Sequence, residues 1–352
     1  MAGFNKYTGS DILENGIYQK IVWLGVNGYL IINKPDREIL MVDPFPSYGK
    51  PGASHHKRLK NLVKWLREQV DKGFSLTGIL VGHEHYDHCK DVVPIIKLLS
   101  EERDDIGPVC PLEKLPVAYC DTGTMLALAE ERGDAELTVQ DFKLADGTPI
   151  YYGDTKQERL SQNPQFRSHY PLTAGTPLNS LKIGAFKVTP YIWDHASTIP
   201  SDSLSGGTAL AGAYQRQTAF LIQSADGKRL FLNGSAGEMS VRSTGNNVNN
   251  LKIETDILIQ AITQKGILPP ATYTRRVKEV VAYQARNFTV KDKIIATHFE
   301  AFIFAVDGKG ELEKHSDFVE KYVSELRKIS PAQADTVHIM KRFGFEFDAI
   351  PV

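Results

Sequence analysis

The chain has 352 residues, 42% of them apolar and 24% charged. That supports a substantial core and excludes a disordered composition. Lys plus Arg total 41 against 42 Asp plus Glu, so no general attraction to nucleic acid or to an anionic membrane is expected.

Apolar runs never approach the ~20 residues that a membrane helix needs. No charged-then-apolar leader opens the chain, so a cytoplasmic protein without a membrane span is the expectation. A leader removed before residue 1 would leave no trace. Cys89, Cys110 and Cys120 are too few for a disulfide scaffold. Cys110 and Cys120 are close enough in sequence to pair, but three reduced thiols is the simpler expectation.

In chain order, Ile21–Leu24, Tyr29–Ile32 and Ile39–Val42 are β-branched and aromatic runs that predict strands. Asn33-Lys34-Pro35-Asp36 supplies a turn between the second and third. The third ends at Asp43-Pro44, where proline stops pairing. Leu59, Leu62, Val63, Leu66 and Val70 recur at helical spacing, predicting a helix over 58–72 that Gly73 terminates. A short buried strand, Gly78–Val81, runs into Gly82 and His83. Asp91 is placed to cap a helix through Val92, Ile95, Ile96 and Leu99, with Pro94 tolerated in its first turn.

Residues 103–180 read as an irregular excursion. From Leu181 strand signals resume at 186–189, 218–222, 229–232, 257–259 and 293–296, with helices over 274–286 and 311–327. The last helix opens a C-terminal extension from about 306. Alternating strands and helices in both halves predict one α/β layered domain over 1–352. The Ser/Gly-rich stretch 201–213 reads as a flap, with Tyr214 or Arg216 near substrate.

The chemistry concentrates in His83-Glu84-His85-Tyr86-Asp87-His88. Three histidines and an aspartate within six residues, delivered by an apolar strand to a strand-to-helix loop, point to a metal. Neutral imidazole suits zinc or iron, and a carboxylate compensates charge.

This His-x-His-x-Asp-His run resembles the signature of the metallo-β-lactamase superfamily, and further landmarks follow in that family's order. Asp43 resembles its strand-end aspartate, which braces the metal loop. His195, in Trp193-Asp194-His195, and His298, in Ala296-Thr297-His298, resemble its later metal histidines. Asp256 opens a strand like the one preceding the last histidine. The wording is most similar to the branch containing ascorbate-6-phosphate lactonase and N-acyl-phosphatidylethanolamine phospholipase D.

The resemblance implies a four-layered αβ/βα sandwich with metals at one edge. It implies one site of His83, His85 and His195, and a second of Asp87, His88 and His298. The implied activity is hydrolysis of an ester-like, lactone, amide or phosphodiester bond in a small molecule by a metal-bound hydroxide. Asp87 and His298 are the implied catalytic residues. Zinc is the expected ion, with iron or manganese as alternatives.

One departure stands out. Where the family places a metal-bridging aspartate, this chain has Ser235, in Asn233-Gly234-Ser235-Ala236-Gly237-Glu238. A neutral hydroxyl cannot bridge two cations, although it can hydrogen-bond a bridging water. One tight ion and a weaker second are therefore expected, with Glu238 as an alternative ligand. The rival readings are an iron-dependent oxidoreductase of the same fold and a degenerate, non-catalytic metal-binding protein.

Overall fold

The computed structural model describes residues 5–7, 20–47, 53–83, 86–102, 106, 108–111, 114–120, 142–144, 179–194, 216–234, 251–262, 270–297 and 316–340. Its strands are β1 (Asn5–Tyr7), β2 (Lys20–Gly25), β3 (Gly28–Asn33), β4 (Glu38–Val42), β5 (Ser75–Leu80), β6 (Ala118–Cys120) and β7 (Phe142–Leu144). They continue with β8 (Leu181–Ile183), β9 (Phe186–Asp194), β10 (Arg216–Gln223), β11 (Arg229–Asn233), β12 (Ile253–Ala261), β13 (Phe288–Thr297) and β14 (Val337–Met340). The helices are α1 (Ala53–Asp71), α2 (Tyr86–Cys89), α3 (Val92–Ser100), α4 (Pro270–Asn287), α5 (Ser316–Ile329) and α6 (Pro331–Asp335).

Two mixed sheets result. One has six strands in the order β2-β3-β4-β5-β6-β7, and the other eight in the order β1-β14-β13-β12-β11-β10-β9-β8. The first is antiparallel from β2 to β4 and parallel from β4–β5 on, and the second is antiparallel from β8 to β11 and parallel from β11–β12 on, with β1 parallel to β14 at its far edge.

Strand alternation separates the layers. Ile21, Trp23, Tyr29, Ile31, Leu40 and Val42 belong to the core shared with the second sheet. Their neighbours Val22, Leu24, Leu30, Ile32, Ile39 and Met41 pack with Leu59, Leu62, Val63 and Leu66 of α1 and with α3. On the outer side of the eight-stranded sheet lie Val277, Val280 and Val281 of α4 and Tyr322, Val323 and Leu326 of α5. There Phe231 meets Phe288 edge-on at 4.9 Å between ring centroids. The architecture is the αβ/βα four-layered sandwich.

Several expectations shift in detail. Helix α1 begins at Ala53 rather than 58, so it includes His55 and His56. Its end is as expected, with Gly73 at φ +87° and its amide donating to Val70 O. Strands β6 and β7 fall inside the stretch read as irregular and pair in parallel. Asp91 does stand at the N-cap of α3 but makes no capping bond. Its carboxylate instead accepts from Ser47 N and Ser47 Oγ, each at 2.6 Å. Burial raises the Asp91 pKa to about 6, against those hydrogen bonds, which lower it. No disulfide forms among the described residues, and all three cysteines are buried. No helix among the described residues is long and apolar enough to cross a membrane.

Candidate metal centre

The strand ends that precede several of the expected site residues come together at one edge. Strand β4 ends just before Asp43, and its parallel neighbour β5 leads through Val81 and Gly82 to His83. In the second sheet β9, β11 and β13 share one direction. Their ends, Asp194, Asn233 and Thr297, lead into His195, Gly234-Ser235 and His298. The β2–β3 turn reaches the same edge, because Tyr29 pairs with Val42. Ligands collect outside the carboxyl ends of strands where strand order switches.

Cross-sheet hydrogen bonds fasten this edge. Thr218 N donates to Gly82 O at 2.7 Å, and Thr297 Oγ1 donates to Val26 O at 2.6 Å. Gly82 and Gly234 are both places of close approach. A side chain on Gly82 would press on Thr218 O at 3.2 Å, and one on Gly234 would strike Asn27 Nδ2 at 2.5 Å.

At the centre lies Asp43, completely buried, with its backbone at φ +41°. Its Oδ1 accepts from Gly82 N at 2.7 Å. Its Oδ2 accepts from Asn27 Nδ2 at 2.9 Å and faces His88 Nδ1 at 2.8 Å. A carboxylate holding Nδ1–H leaves the other ring nitrogen, Nε2, with its lone pair outward. That Nε2 lies 3.4 Å from Asp87 Oδ2. The buried His83 ring stands beside His88, 4.0 Å between centroids. Burial alone would press the His88 pKa down, but the Asp87 and Asp43 carboxylates outweigh it and raise the value.

These atoms fit a metal. Two ligands of one tetrahedral ion, at bond lengths near 2.1 Å, stand about 3.4 Å apart. The Nε2 and Oδ2 atoms have that spacing, and the carboxylate on Nδ1 is the usual support for a metal-binding histidine. Among the described residues no group of three or more His, Cys, Asp or Glu is arranged to hold an ion. Of the other expected site residues, His85, His195, His298, Ser235, Glu238 and Tyr214 lie outside the described residues, as do the stretch 201–213 and the side chain of Arg216.

Sequence reasoning missed Asn27 and the two glycines. The signal for the glycines was their place at strand ends beside site residues. Asn27 had none, because it acts 16 residues away on Asp43.

No protein-family profile matches the sequence, and no curated protein matches it either. Similar solved structures include unliganded yeast PDE1, at TM-score 0.47 and 11% identity, covering 91% of this chain and 96% of that one. Another is described as a possible metal-dependent hydrolase from Veillonella parvula DSM 2008. It aligns at TM-score 0.41 and 12% identity, over 91% of this chain and 95% of its own. The BLEG-1 B3 metallo-β-lactamase aligns at TM-score 0.27 and 17% identity, over 68% and 84%. At this distance the likeness assigns no residue a role.

Proposed function

We propose that the chain is a metal-dependent hydrolase acting on a small molecule with an ester-like, lactone, amide or phosphodiester bond. The observation that carries the reading is the buried arrangement Asp43–His88–Asp87, in which Nε2 of His88 and Oδ2 of Asp87 converge while Nδ1 is held from behind. His83, His85, His195 and His298 would complete the ligand set. Zinc or a similar divalent ion held there would supply Lewis-acid chemistry, lowering the pKa of water toward neutral pH.

The chain's own residues do the rest. Asp43 fixes the tautomer and plane of His88. Asp87, on the short helix α2, would orient the attacking water or pass a proton to the leaving group. The near-complete burial of His83, Asp87 and His88 shields the polar groups from bulk solvent and strengthens their electrostatics. A preference for lactones or phosphodiesters, as in the branch whose wording the sequence resembles, belongs to the same proposal.

The test is hydrolysis of a chromogenic panel spanning lactones, esters, amides, thioesters and phosphodiesters. Activity should vanish with a chelator, return with zinc, and be lost in His83→Ala and Asp87→Asn while both variants stay folded. Full turnover surviving the chelator and both substitutions would overturn the reading.

A further inference from the structure

We propose that Asn27 and Gly234 form a positioning couple for the metal centre: Asn27 holds the Asp43 carboxylate in place on His88, and residue 234 is glycine because the Asn27 amide fills the space a side chain would need. The inference rests on the metal-hydrolase reading above and adds two residues to it.

Asn27 belongs to the turn between β2 and β3, where Gly25 has φ +105° and Val26 φ +50°. The turn is locked from two sides. Trp23 Nε1 donates to Val26 O at 3.2 Å, and Thr297 Oγ1 donates to the same oxygen at 2.6 Å. Asn27 is therefore delivered to the edge on a rigid support, fully buried. Its Nδ2 donates to Asp43 Oδ2, the same oxygen that His88 Nδ1 addresses. With Gly82 N on Oδ1, three donors from three segments fix the carboxylate plane. Removing Asn27 leaves Oδ2 held by His88 alone, and the imidazole then loses its fixed direction.

The Oδ1 of Asn27 receives no hydrogen bond among the described residues. Asp43 is thus the polar partner that accounts for an asparagine here. The amide must present its NH2 to the carboxylate, since the opposite orientation would set oxygen against oxygen.

Gly234 supplies the second, independent observation. Its backbone is not in the left-handed region, so conformation does not demand glycine. Space does: a Cβ would lie 2.5 Å from Asn27 Nδ2 and 3.0 Å from Asp43 Oδ2. Even one methyl group must push the amide off the carboxylate.

The experiment titrates cobalt(II) into metal-free protein and reads affinity and the ligand-field spectrum for the unmodified chain, Asn27→Ala, Gly234→Ala and the double variant. Thermal unfolding without metal checks folding, and Gly234→Ala probes the same contact should Asn27→Ala fail to fold. Each single variant should weaken cobalt binding about tenfold, the low end for outer-shell partners of a metal-ligating histidine, and shift the spectrum. The double variant should lose less than the two single losses added together, because no amide remains for the new methyl to displace. Single variants with unchanged affinity and spectrum overturn the couple, as do losses that simply add. If the unmodified chain takes up no cobalt, or His88→Ala binds it equally well, the metal reading itself fails. Cobalt binding that depends on His88 yet ignores Asn27 overturns the couple alone.

Discussion

Replacing Asp43 by Asn probes the brace behind the site most sharply. Asparagine keeps the shape and tolerates the positive φ of +41° better than most residues. It removes the charge and one of two acceptor oxygens. Three N–H donors converge on Asp43, from Gly82, Asn27 and His88. Two of these bonds would drop from charge-assisted to neutral strength, about 1 kcal/mol each. The third donor would face an NH2 group while buried, which costs about 1–3 kcal/mol. The variant should therefore be less stable by ~3–5 kcal/mol, in line with breaking a buried charged pair. Urea unfolding followed by tryptophan fluorescence reads this, since Trp23 is buried close by. Zinc affinity by calorimetry should fall about 10–100-fold. A stability loss below ~1 kcal/mol together with unchanged zinc affinity would refute the reasoning, because no buried triple acceptor could be lost so cheaply.

Three further outcomes are expected. Asp91, raised from 3.8 to about 6, binds its proton more tightly folded than unfolded. It therefore stabilises the fold below pH ~4 and loses that contribution as pH rises through ~6, a swing of ~3 kcal/mol; Asp91→Asn should flatten the urea-midpoint profile over that range, and an unchanged slope would contradict this. Gly184, at φ +59° with Glu38 oxygens 2.5 Å from where a Cβ would lie, should cost about 2 kcal/mol as Gly184→Ala, combining φ strain with loss of the Glu38–Ala185 N bond; a melting temperature unchanged within error would show that the turn adapts. Dialysed protein should retain one tight ion, and Ser235→Asp should raise occupancy of a second, read as metal per chain by mass spectrometry; two equally tight ions without the substitution would point to another anionic ligand.

Much of the fold was legible because its signals are local. The runs of β2, β3 and β4 are apolar on both faces, so their β-branched and aromatic composition and the turn residues between them reveal them, rather than any periodicity. Strands β6 and β7 have three residues each, too few for a period to show. They exist because an open edge of the first sheet accepts them. Asp91 shows how local chemistry misleads: its place before a helix predicts a cap, but Ser47, 44 residues away, takes the carboxylate. At the site, His83, Asp87 and His88 stand out by residue type. The residues that hold them do not. Asn27 and Gly234 matter through contacts that only the packing of two sheets creates.

The most direct test of the metal assignment is anomalous diffraction from zinc-loaded crystals, with data on both sides of the zinc edge. A peak is expected about 2.1 Å from His88 Nε2 and Asp87 Oδ2, with the Asp43 carboxylate still on Nδ1. No peak at this edge of the sheets, or an ion bound with His88 and Asp87 left aside, would contradict it.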